Sequence, residues 1–78
     1  MKPPLFVRDL TGAERTALRG GLRSPEAFAP RRSQIVLASA EGERPARIAT
    51  TLGCATQTVR DAIRAFHADG VGCLGPRS

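Results

Sequence analysis

The sequence predicts an all-α fold, a small bundle of about four helices, and three observations carry that prediction. Apolar residues recur at helical spacing in four stretches, nothing alternates with the two-residue period of a strand, and Gly or Pro stands at the junctions. At 78 residues the chain makes one domain at most, with a correspondingly small core. Only three residues are aromatic and all are Phe, so that core must be mainly aliphatic.

The elements follow in order. Pro3 and Pro4 exclude a helix at the start, so residues 1–9 read as a flexible, extended N-terminal arm that orders only against a partner surface. The domain itself is expected over residues 10–74, with 75–78 as a C-terminal tail. Thr11 and Glu14 have capping-box spacing, which starts a first helix at Gly12 that runs to about Leu22. Ala13, Ala17, Leu18 and Leu22 form its apolar side, and Gly20-Gly21 weaken its end. Pro25 and Pro30 are too close together to share a regular helix, so a short turn is expected, with Phe28 anchoring it to the core. A second helix then runs from Pro30 to about Glu41, burying Ile35, Val36 and Leu37 with Ala38 and Ala40, and stops at Gly42.

The third helix begins at Pro45, carries Ile48, Ala49 and Leu52 on one face, and ends at Gly53. The fourth spans about Thr56 to Asp69, with Val59, Ala62, Ile63 and Phe66 as its core stripe and Gly70 at its end. Residues 71–78 read as coil from which Val71 and Leu74 pack back.

The pattern Ile48-Ala49-x-x-Leu52-Gly53-Cys54, followed by Val59 and Ile63, is that of a helix-turn-helix. Ala49 must be small where the second helix crosses it, and Gly53 must take positive φ to turn sharply. Cys54 and Val59 fill the angle between the helices. Neither Ala55 nor Arg44 can cap the helix it precedes; an alanine cap costs about 1 kcal/mol, and Thr56 is expected to take over one residue later.

A formal charge of +5 and a pI near 11 attract polyanions, either nucleic acid or an acidic membrane. The charge is weak evidence alone, because 11 Arg and 12 Ala residues are also what a GC-rich coding sequence produces. A helix-turn-helix places the start of its second helix in the major groove, which points to Thr56, Gln57, Arg60, Asp61 and Arg64 as base-reading residues. Gln57 suits adenine and Arg60 suits guanine, because each offers two bonds to one base edge. Arg31, Arg32, Arg44, Arg47, Thr50 and Thr51 are candidates for phosphate contact. The competing reading of all these residues is the ordinary solvated side of amphipathic helices.

Other chemistry finds little support. Cys54, Cys73 and His67 give three ligands without paired-cysteine spacing, so no metal and no other cofactor is expected. Asp61 and Asp69 are too far apart on one helix to share a catalytic site, and no nucleophile–base arrangement is visible. No run is apolar enough for a signal peptide or a membrane span, so the expected setting is the reducing bacterial cytoplasm, at the nucleoid when bound to DNA.

Four segments together resemble the N-terminal DNA-binding part of insertion-sequence transposases of the mariner superfamily. They are Arg31-Arg32-x-Gln34-Ile35, Ala38-Ser39-Ala40-x-Gly42-Glu43, Arg47-Ile48-Ala49-x-x-Leu52-Gly53-Cys54 and Gln57-Thr58-Val59-Arg60-x-Ala62-Ile63-x-Ala65-Phe66. The resemblance implies a homeodomain-like fold that recognises the double-stranded DNA of transposon ends. In those transposases a catalytic domain with an acidic metal-binding triad follows. This chain stops at Ser78, so the expectation is a non-enzymatic module, with a second copy or a separately encoded catalytic subunit as further partners. A free-standing transcriptional regulator fits the same residues, as does a helical protein-interaction module that does not bind DNA.

Overall fold

The computed structural model describes residues 5–25 and 29–74. Phe28 and the tail 75–78 lie outside the described residues. Four α-helices follow one another, α1 (Gly12–Gly21), α2 (Ala29–Ala40), α3 (Pro45–Leu52) and α4 (Thr56–Asp69), and a 3-10 helix (Gly70–Leu74) succeeds them. No strand occurs among the described residues, and none of their helices is long and apolar enough to cross a membrane.

The capping box forms as the spacing demands. Glu14 N donates to Thr11 Oγ1 at 3.1 Å, and Thr11 N donates to Glu14 Oε1 at 2.9 Å. The buried side of α1 differs from the predicted one: Leu18 and Gly21 are inside, while Ala13, Ala17 and Leu22 are exposed. The cause is the approach of α2. A Cβ on Gly21 would strike the Ser33 hydroxyl and come within 3.1 Å of Leu74 Cδ1. Gly21 therefore makes a close helix contact as well as loosening the end of α1.

Along α2 the inward residues are Ala29, Ser33, Ile35, Val36 and Ser39, with Leu37, Ala38 and Ala40 half-buried. The two serines were not expected there. Ser39 Oγ accepts a 2.8 Å hydrogen bond from Val7 N. The Ser33 hydroxyl is buried with no hydrogen-bond partner among the described residues.

From Leu5 onward the segment assigned to an arm packs on the domain itself, and its partner surface is α2 and α4. Val7 is buried, with Leu5 and Leu10 half-buried beside it. Arg8 makes several contacts at once: an ion pair to Glu14 at 2.6 Å, a cation–π contact 4.8 Å above the Phe66 ring, a 3.1 Å bond from its backbone N–H to His67 Nε2 and a 3.0 Å bond from Nη1 to the Asp9 carbonyl. The far end of the described chain is tied down as well. Residues 70–74 form a 3-10 helix where coil was expected, and Cys73 and Leu74 pack inward while Val71 stays exposed. Arg32 Nη1 donates to the Cys73 carbonyl at 2.8 Å.

The core between these elements is built on Leu18, Ile35, Val36, Ile48, Val59, Ile63 and Phe66, all essentially inaccessible. Burying side chains of this kind contributes about 1.5–3 kcal/mol each before the ordering cost.

Two outcomes follow from these contacts. Gly21→Ala should destabilise the domain by about 1–3 kcal/mol through overpacking. Ser33→Ala should be nearly neutral, because it removes a hydroxyl that has no partner among the described residues. The double variant should recover much of the loss, so chemical denaturation of all four proteins gives a non-additive cycle; strict additivity would mean the two positions do not collide.

The second outcome concerns acid. The Arg8 guanidinium and the Thr11 amide hold the Glu14 carboxyl down at about 2, well below its ordinary 4.5. A depressed carboxylate stabilises the fold above its unfolded value and loses that contribution as pH falls from about 4.5 through about 2. The melting temperatures of the protein and of Glu14→Gln should therefore differ at neutral pH and converge over that window. A gap that stays constant down to pH 2 would show that the pair contributes nothing.

Candidate nucleic-acid interface

The corner between α3 and α4 is set by three residues. Gly53 sits at φ 71°, ψ 37°, in the left-handed region that side chains resist, and both its own N–H and that of Cys54 close back on the Ala49 carbonyl. Ala55 follows in extended backbone and α4 begins at Thr56. Leu52 and Cys54 are half-buried against the core, and Ile48 and Ala49 from α3 meet Val59, Ala62 and Ile63 from α4 inside it.

No side chain caps either helix. At α3 the loss is softened by Pro45, which occupies a first-turn position and has no N–H to satisfy. At α4 the expectation that Thr56 takes over the cap is corrected. Thr56 is already the first helical residue, so its side chain cannot serve the donors of its own turn in the N-cap manner.

Burial of Val59, Ala62, Ile63 and Phe66 fixes which way α4 faces. With about 100° per residue, Gln57, Arg60, Asp61 and Arg64 fall on the opposite stripe, and all four are exposed. Thr56 lies to the side of this stripe and is half-buried. Gln57 Nε2 donates to Asp61 Oδ1 at 2.8 Å. Arg60 and Arg64 make no ion pair, the pair among the described residues being Arg8 with Glu14.

The candidate phosphate contacts divide into two groups. Arg31 on α2, Arg44 before α3, and Arg47 and Thr51 on α3 are exposed. Arg32 is half-buried and donates to the Cys73 carbonyl, and the Thr50 hydroxyl donates to Ala46 O at 3.0 Å, so those donors serve the fold.

Some features had no signal in the sequence. Arg19 and Arg23, with Gly20 and Leu22, line an open hollow of about 400 Å³ at the end of α1. His67, weighed as a metal ligand, accepts the Arg8 amide. Cys54 and Cys73 are both free thiols, and burial pushes the Cys73 thiol above its ordinary range. Among the described residues no three His, Cys, Asp or Glu side chains gather where they can hold a metal ion.

A comparison with protein families matches residues 32–78 to the winged helix-turn-helix family. The match contains α3 and α4 whole and most of α2. The family is named for a wing. Among the described residues no strand follows α4, and the chain continues into the 3-10 helix instead. Neither a search of curated proteins nor one of solved structures gives a match.

The turn generates a direct test. Nothing lies within 4 Å of a Cβ built on Gly53, so the difficulty of substitution there is its positive φ and not crowding. Gly53→Val should lower stability by about 1–3 kcal/mol, because a β-branched residue is forced into the left-handed region. Gly53→Asn should lose much less, since Asn tolerates that region. Equal melting temperatures for the two variants would show that backbone strain is not what Gly53 relieves.

Proposed function

The chain belongs to the winged helix-turn-helix family, and from that premise we propose that it binds double-stranded DNA sequence-specifically, as a transposase-type module that recognises transposon ends. The observation that carries the DNA-reading part is the stripe of α4. Gln57, Arg60, Asp61 and Arg64 are exposed together on the side opposite the core, and both guanidinium groups are uncommitted. In a helix-turn-helix this is the side that enters the major groove, where Arg can bridge two acceptors of guanine and Gln can match adenine.

Arg31, Arg44 and Arg47 stand on or beside the preceding helices, where contacts to phosphate position the protein without reading sequence. The net charge of +5 favours approach to any duplex. The finer assignment to transposon ends rests on the resemblance of the four segments given above. A free-standing regulator would use the same stripe on an operator, so the preferred sequence distinguishes the two: an inverted-repeat terminus for the first, a promoter site for the second.

The module is proposed to be non-catalytic. Asp61 and Asp69 stand about 12 Å apart along α4, beyond the reach of carboxylates that share one metal site.

The two classes of residue should fail differently. Gln57→Ala and Arg60→Ala should each lose about 1–3 kcal/mol on the preferred site and relax discrimination at one base pair. Arg31→Ala and Arg47→Ala should weaken all duplexes alike and flatten the dependence of log affinity on log salt by about one unit. Titrations of a selected and a scrambled duplex at several salt concentrations measure both effects. If all four variants keep both site preference and salt slope, α4 does not read DNA, and a protein-interaction role takes its place.

A further inference from the structure

We infer that Asp61 is a positioning residue, one that orients Gln57 for adenine and raises selectivity while lowering affinity for DNA in general. The inference rests on the reading of α4 as the groove-facing helix. Its starting point is the 2.8 Å bond from Gln57 Nε2 to Asp61 Oδ1, one helical turn away. An ionised carboxylate only accepts, so the Gln57 amide turns its nitrogen toward Asp61 and its oxygen away. That nitrogen has two hydrogens. When Asp61 takes the one trans to Oε1, the oxygen and the cis hydrogen remain side by side, an acceptor next to a donor. Adenine presents the complement, its N6 amino group beside N7.

The partner that Asp61 takes is informative. Arg60 is its neighbour and Arg64 lies three residues on, yet it pairs with neither cation and holds the neutral amide. Both guanidinium groups stay open while Gln57 gives up rotational freedom before any base arrives, which lowers the ordering cost of contact. A carboxylate on this face also repels phosphate wherever the fit is poor, so it weakens indiscriminate binding. A surface hydrogen bond four residues apart on a helix arises for local stability too. The test must therefore separate orientation from a bland structural role.

Duplexes with a randomised centre yield the preferred site of the unmodified protein. Affinities for that site, its single-position variants and a scrambled duplex are then compared for Gln57→Ala, Asp61→Ala and Asp61→Asn. Circular dichroism checks each fold, which exposure of both positions makes safe. The expected result is that Gln57→Ala and Asp61→Ala relax preference at the same A·T pair by about tenfold. Asp61→Ala should also bind the scrambled duplex about twofold tighter, because a like charge is gone. Asp61→Asn keeps an oxygen that accepts from the amide but has no charge, so it should retain the base preference and share the tighter scrambled binding. If Asp61→Ala leaves that preference intact, or relaxes a different position from Gln57→Ala, the inference is overturned while the groove-facing reading stands. An unmodified protein that binds every duplex equally overturns both.

Discussion

What α4 can present to a partner is decided by what it buries. Val59, Ala62, Ile63 and Phe66 lie in the core with at most a few per cent of their surface exposed. Rotating the helix by a single residue position, about 100°, would pull at least one of them into water and lose about 1.5–3 kcal/mol per side chain. The direction of Gln57, Arg60, Asp61 and Arg64 is thus a by-product of packing and requires no contact of their own. Gly53 then sets where the helix begins and Ala49 how closely α3 crosses it. Both terms act on backbone position and leave the polar stripe untouched.

The second constraint is closeness between α1 and α2. Gly21 and Ser33 occupy a contact that admits almost no side-chain volume, and the Ser33 hydroxyl has no partner there among the described residues. A buried hydroxyl in that state is unfavourable, but serine is among the smallest side chains available. Tight packing tolerates a polar atom more readily than an added methylene. Arg8 adds a tie of another kind at the edge of the same core, over Phe66, where its planar cation covers the ring and still reaches Glu14.

Much of this was legible in the residues. Helix spans followed from capping signals and from Pro and Gly punctuation, so α3 and α4 came out with the expected limits, and the inward stripe of α4 was read correctly from its period. The inward side of α1 was not. Its periodicity marks apolar residues, whereas the contact was decided by the absence of a side chain at Gly21, which hydrophobic spacing cannot register. The structural bonds of Ser39 and Arg32 were not legible for a related reason. Their partners, Val7 and Cys73, are 32 and 41 residues away, and no local pattern encodes so distant a hydrogen bond. Within the candidate site the outward stripe was legible for the same reason as the inward one. The bond between Gln57 and Asp61, by contrast, is a choice among rotamers that only packing and charge settle.

Those two distant bonds share an element. Ser39 and Arg32 both lie on α2, so one helix holds an early segment of the chain through one side chain and a late segment through another. Such closures are entropically slow to reach, since each joins points more than thirty residues apart. Local helices therefore form early in folding and the two clasps late. In the native state the order reverses: the Val7 amide exchanges its hydrogen when the segment from Leu5 lifts from α2, and loss of the Arg32 bond loosens the 3-10 helix. Fraying from either side thus meets the same helix, and the early segment keeps a second hold through Arg8 on α1 and α4.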